Sequence, residues 1–162
     1  MRNSCDLLSG LLSFVSQQYG IEAIRITPAK RGFFGETWRI DSNDRSYFIK
    51  LVYSLAHQQK YERSFAVLQH LNNHGIDFVS RIVKTADGKL FEWFNSAIMG
   101  VFDWIGGENT ETDETKVPEF NMLARIYAVP FHELNIKTED FSEKITDVFF
   151  EQWSGLDNES AQ

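Results

Sequence analysis

The sequence predicts an α+β fold: a five-stranded, mostly antiparallel sheet packed by a helix, with a helix before the sheet and two more after it. Three observations carry this. The run Ser46-Tyr47-Phe48-Ile49-Lys50-Leu51-Val52 is short, rich in β-formers and holds a single cation, so it reads as a strand with one exceptional position. Residues 57–73 then switch to helical period, with Tyr61, Phe65, Leu68 and Leu71 recurring on one face. After Gly106-Gly107 the composition turns polar and acidic over residues 108–117, which marks the clearest internal boundary.

Taken in order, residues 4–19 place Leu7, Leu8, Leu11, Leu12, Val15 and Tyr19 at helical spacing, and Gly20 suits a left-handed stop. Residues 21–28 are extended, residues 29–35 contain the turn Gly32-Phe33-Phe34-Gly35, and residues 36–41 read as the next strand. Ser42-Asn43-Asp44 is a polar turn before the lysine strand, completing a three-strand meander. The helix over 57–73 ends at His74-Gly75. Residues 76–83 are loop or short strand, Thr85-Ala86-Asp87-Gly88 is a turn, and residues 89–94 and 97–104 are two further strands. A helix is expected from about Pro118 to Pro130, with Phe120, Leu123, Ile126 and Tyr127 on one face. Residues 140–153 form another, with Ile145, Val148, Phe149 and Trp153 aligned; residues 155–162 read as a frayed end. The domain reading is residues 1–107, a connector at 108–117, and a helical part at 118–162.

The 162 residues, 43% of them hydrophobic, suffice for one substantial core. A formal net charge of −7, without a basic cluster or arginine stripe, argues against nucleic acid or an anionic membrane as partner. No apolar run approaches the roughly 20 residues that span a bilayer, and no signal-peptide pattern opens the chain, so a soluble, cytoplasmic protein is expected. The lone Cys5 excludes an internal disulfide.

Lys50 is the candidate around which chemistry is sought. An edge-strand lysine commonly reaches to solvent. A buried one needs an acid, and Glu62, twelve positions on and near the start of the periodic helix, is available. His70 and His74 share a helix face at a ligand-compatible spacing, but no third ligand stands nearby and they read as helix-surface histidines. Cys5 has no indicated activating partner, the carboxylates Glu151, Asp157 and Glu159 are solvated charge, and neither a Gly-x-Ser-x-Gly nor a Walker pattern occurs.

The order of helix, meander with lysine on its third strand, helix with early glutamate, two more strands and a glycine-containing exit resembles a protein-kinase-like N-terminal lobe. In particular, Tyr19-Gly20-Ile21, Ser46 through Leu51, Tyr61-Glu62 through Leu68, Leu71, His74-Gly75-Ile76 and Thr85-Ala86-Asp87-Gly88 resemble the aminoglycoside phosphotransferase and choline kinase family. Phe102-Asp103-Trp104-Ile105-Gly106-Gly107 is similar to that family's hinge, and Leu123-Ala124-Arg125-Ile126 through His132 to the helix after it. The resemblance spans about residues 15–135.

The resemblance implies a nucleotide partner, ATP. Lys50 would contact its phosphates and Glu62 would hold the ammonium. The Gly32 to Gly35 loop would cover the phosphates, although Gly-Phe-Phe-Gly departs from the kinase pattern and, taken without the resemblance, reads better as an ordinary hairpin turn. Phe102, Asp103 and Trp104 would meet adenine through main-chain atoms, with Ile26, Ile49 and Met99 sandwiching the purine. The catalytic loop is absent: no His-Gly-Asp followed by Asn occurs, and His74-Gly75-Ile76-Asp77 is a helix end and turn. No catalytic residue is therefore assigned to this chain, and magnesium is expected only with a second lobe. The implied function is the nucleotide-binding half of a small-molecule phosphotransferase, acting from ATP on a hydroxyl of an aminoglycoside-like or other polar acceptor and not competent alone. The alternative is a non-catalytic interaction or self-association module that binds a partner or a second copy through apolar surface at Phe131, Phe149, Phe150 and Trp153; a third reading is a lobe that pairs in trans with a separate catalytic C-terminal lobe.

Overall fold

The computed structural model describes residues 4–29, 35–107, 112–132 and 134. Helix α1 (Ser4–Tyr19) leads into β1 (Ala23–Pro28), β2 (Glu36–Ser42) and β3 (Ser46–Val52), then α2 (Leu55–Asn73), β4 (Glu92–Phe94), β5 (Ala97–Asp103) and α3 (Asp113–Tyr127). The five strands form one sheet in the order β1-β2-β3-β5-β4, and every pairing is antiparallel. The chain divides into two units, Met1–Pro130 and Phe131–Gln162, and these eight elements lie in the first.

The sheet is covered on both faces. On one, Leu11, Val15 and Tyr19 of α1, four residues apart and so aligned on the helix, meet Ile40, Tyr47, Ile49, Leu51, Met99 and Val101. On the other, Phe65 of α2 packs with Val52, Ile82, Ile98 and Phe102, and Phe48, Tyr61, Leu68, Leu90 and Phe91 close around them. β5, central and covered on both sides, is buried from Ala97 through Phe102.

Local chemistry sets the ends. Gly20 takes φ +65° at the stop of α1, as expected of a left-handed cap. The β4–β5 hairpin turns through Asn95 at φ 54°, a conformation asparagine tolerates. α2 begins two residues earlier than its periodicity indicates, and Gln58 in its first turns is buried: its amide donates to the carbonyls of Val52 (3.1 Å) and Ser96 (2.8 Å), tying the helix start to the sheet.

Two boundaries differ from the sequence reading. β4 is confined to Glu92–Phe94 because Lys89 is held in the preceding turn, its amide donating to Thr85 Oγ1 and its ammonium meeting Glu92. α3 begins at Asp113, not near Pro118, because Thr112 and Thr115 form a capping box inside the polar stretch, and Pro118 falls within the helix. The expected helix at 140–153 lies outside the described residues, as do Phe149, Phe150, Trp153, Glu151, Asp157 and Glu159.

Candidate nucleotide site

Alternation along β3 sends Tyr47, Ile49 and Leu51 into the α1-side core and turns Phe48, Lys50 and Val52 to the face that α2 covers. Register then decides their neighbours. Arg39 of β2 and Phe102 of β5 flank Phe48, and Thr37 and Gly100 flank Lys50. Where this face meets the exit of β5, Ala29, Phe48, Ser80, Phe102, Asp103, Trp104 and Ile105 line a cleft of ≈ 240 Å³. Lys50 lies two residues from Phe48 on the same face, about 7 Å along the strand.

The end of the cleft is held by charge and ring contacts. The Arg39 guanidinium lies over the Trp104 ring at 4.6 Å, and Phe48 approaches the same ring at 6.4 Å between centroids. Arg39 Nε donates to Asp41 Oδ1 at 2.7 Å and its Nη2 to Ser46 Oγ at 3.1 Å, while Ser46 Oγ donates to Asp41 at 2.6 Å. The Ser46 hydroxyl and then the Arg39 guanidinium hold the Asp41 carboxyl below the usual carboxylate range.

The main chain is partly committed. The Asp103 amide donates to the Arg81 carbonyl at 3.0 Å and the Trp104 amide to the Ser46 carbonyl at 3.1 Å. The Ile105 amide, also at the cleft, donates to no group among the described residues.

The candidates from the sequence are brought together in part. Phe102, Asp103 and Trp104 line the cleft, and Lys50 faces the same way. The Lys50 ammonium, however, sits 5.0 Å from the centroid of the Tyr61 ring, over its face. Glu62 is exposed and lines a separate groove with Gln59, Arg63, Phe65, Ala66, Leu90 and Phe91; among the described residues it forms no ion pair with Lys50. Gly35 lies where an added Cβ would collide with the main-chain carbonyl of Leu51, so close approach to β3 explains this glycine. Gly32 lies outside the described residues.

One expectation is corrected. Ile26, Ile49 and Met99 do not flank the cleft: all three pack in the α1-side core, and Ile49 and Met99 are fully buried there. The apolar walls are Phe48 and Phe102. Period-2 alternation could have found Phe48, since it shares parity with Lys50 and Ile49 does not. The sequence does not mark Tyr61 as a partner for the lysine, because an aromatic ring on the apolar face of a helix reads as core.

At the far end of α2, the His70 and His74 rings meet with centroids 4.2 Å apart and planes tilted by 41°. His70 Nε2 donates to the Pro130 carbonyl at 2.7 Å and His74 Nδ1 to the His70 carbonyl at 2.9 Å. Arg125 of α3 reaches the Gly75 carbonyl and Asp77 and lies over the Phe78 ring, so this corner joins α2 to α3.

No family model matches the chain, and no curated protein matches it. Solved structures do. A spectinomycin phosphotransferase in complex with ADP and spectinomycin superposes with a TM-score of 0.66 at 21% identity, over 84% of this chain and 43% of the other. An AMP-bound complex of spectinomycin phosphotransferase gives 0.60 at 22% identity, over 80% and 38%. An amicoumacin kinase in complex with AMP-PNP, Ca2+ and Ami gives 0.53 at 17% identity, over 70% and 36%. The chain spans less than half the length of each solved chain it matches. At these identities the likeness speaks for architecture, and with the five-stranded antiparallel sheet and its helices it shows that the chain has the fold of a protein-kinase-like N-terminal lobe of the aminoglycoside phosphotransferase kind.

Proposed function

We propose that this chain is the nucleotide-binding half of a small-molecule phosphotransferase, taking ATP as the phosphoryl donor. The observation that carries the reading is the shared face of β3: the apolar cleft walled by Phe48 and Phe102 and the Lys50 ammonium two residues along the same strand. A purine has a flat apolar body with a polar edge, which suits an apolar surface made by two neighbouring rings, Phe48 and Phe102 at 6.2 Å between centroids, bordered by main-chain groups. The Ile105 amide is a donor for that edge, and the Asp103 carbonyl an acceptor. From there a triphosphate runs along β3 toward Lys50, a compact cation that neutralises phosphate charge without demanding bidentate geometry. The segment from Gly32 to Gly35 covers the phosphates. Neighbours with this fold are solved with ADP, AMP or AMP-PNP, which supports a nucleotide as ligand.

In this reading the chain's residues bind and orient the donor, and the acceptor pocket, the group that orients the acceptor hydroxyl and the magnesium ligands come from a second lobe. The chain alone is then a binding unit and not a kinase. The test is calorimetric titration with ATP, with and without magnesium, on the chain and on Lys50→Ala. Saturable binding that weakens at least tenfold in Lys50→Ala supports the reading; a folded chain that binds no ATP, or a variant that binds equally well, overturns it.

A second reading, self-association of a non-catalytic module, is favoured by α3. Val117, Phe120, Leu123 and Tyr127 are 67%, 70%, 48% and 83% exposed, an apolar helix face of the kind that partners cover.

A further inference from the structure

We infer that Tyr61 is a positioning residue for Lys50, its ring face holding the ammonium on the same sheet face as the cleft, two residues along β3 from Phe48, where the nucleotide's phosphates would lie; this rests on the nucleotide reading above. Four observations meet at this position. The ammonium stands over the ring at 5.0 Å, within the range at which a cation is attracted by the negative face of an aromatic system. The ring is fixed from behind, because Phe65 approaches it at 4.7 Å and Phe65 is itself fully buried. Phe65 stacks on Phe102 at 5.9 Å and an interplanar angle of 7°, and Phe102 is a wall of the cleft. The rings lie this close to the sheet only because β5 carries glycine at position 100: a Cβ there would come within 2.6 Å of the Phe65 ring and 2.9 Å of the Tyr61 hydroxyl oxygen.

Tyr61 does what the sequence assigned to the neighbouring glutamate. One step along an α-helix turns a side chain by about 100°, so Tyr61 and Glu62 cannot both face Lys50 squarely. Tyr61 takes the sheet side and Glu62 the groove beside Leu90 and Phe91. The Tyr61 hydroxyl is buried and forms no hydrogen bond among the described residues, so the face of the ring, not the hydroxyl, meets the lysine. A ring holds an ammonium without neutralising it. Lys50 therefore keeps its full charge for an incoming phosphate, whereas a carboxylate in contact would have to share it.

The test separates the placement of Lys50 from nucleotide binding. In the full chain labelled with 13C-lysine, the Lys50 Hε–Cε cross-peak, assigned by its loss in Lys50→Arg, is expected upfield of the other lysines because it lies over a ring. It should stay there in Tyr61→Phe, which keeps the ring, and move to the common lysine position in Tyr61→Leu. A wild-type Lys50 peak among the common lysines overturns the inference; where Tyr61→Leu does not fold, that wild-type peak alone decides. In ATP titrations Tyr61→Phe should bind within about twofold of wild type and Tyr61→Leu about three- to tenfold more weakly. Equal affinity for wild type and a folded Tyr61→Leu would also overturn it. If the wild-type chain binds no ATP while its Lys50 peak is ring-shifted, the nucleotide reading fails, and with it the positioning role; the contact itself stands as a structural one.

Discussion

Tyr61 and Tyr19 show how single buried groups write a pH dependence into the fold. Burial first, and then the neighbouring tyrosine, pushes the Tyr61 hydroxyl above its ordinary value of 10.0, and burial followed by Glu92 does the same for Tyr19. The sign follows from proton counts: above pH 10 the unfolded chain releases phenolic protons that the folded chain retains, so stability falls as pH rises. Below pH 10 both states hold these protons and the tyrosines add no slope. Denaturant melts taken from pH 9 to 11 should show this loss in the wild type and a shallower one in Tyr61→Phe. Equal slopes would mean that the hydroxyl is solvated. Asp41 behaves oppositely at the acid end, where its lowered value makes its support from Ser46 and Arg39 fade as pH falls below the usual carboxylate range.

Among the elements, those with an uninterrupted pattern were readable from the sequence and those shaped by side-chain bonds were not. β3 occupies Ser46–Val52 as its run of β-formers indicates, and α1 ends at the glycine that suits its stop. By contrast, β4 is shortened by the Thr85 turn that captures Lys89, and the start of α3 is set by a threonine pair that propensity alone does not reveal. The site divides in the same way. Lys50 stands out because a cation in an apolar strand is anomalous, and Phe102, Asp103 and Trp104 only because, with Gly106-Gly107 after them, they resemble the hinge of a known family. The walls required parity counting, and Tyr61 required the distance between two elements. Gln58 was equally hidden, a polar residue whose importance lies in the main-chain carbonyls it satisfies, those of Val52, Tyr53 and Ser96. Gln58→Leu keeps the bulk but strands those carbonyls, and it should cost about 1–3 kcal/mol. Urea melts should show a lower midpoint with an unchanged m-value; an unchanged midpoint would mean that water replaces the amide.

For the whole molecule, the exposed face of α3 sets the expected solution behaviour. Phe120 is 70% exposed, so Phe120→Asp should leave folding stability within about 0.5 kcal/mol. If copies associate through this face, light scattering across a concentration series should show a mass above 18.8 kDa for wild type that falls toward that value in the variant. A wild-type chain that stays monomeric at high concentration would count against self-association and leave the face to a partner of another kind. The burial of β5 has a different consequence. Its residues from Ala97 to Phe102 are enclosed between strands and between layers, and the same strand runs directly into the wall of the cleft. Amide protons along β5 should therefore exchange with solvent only through global unfolding, the slowest in the chain. A cleft wall rooted in the slowest-exchanging strand is rigid before anything binds, so occupancy of the cleft should slow exchange little in β5 and be felt instead in the less protected main chain at its edge, around Trp104 and Ile105.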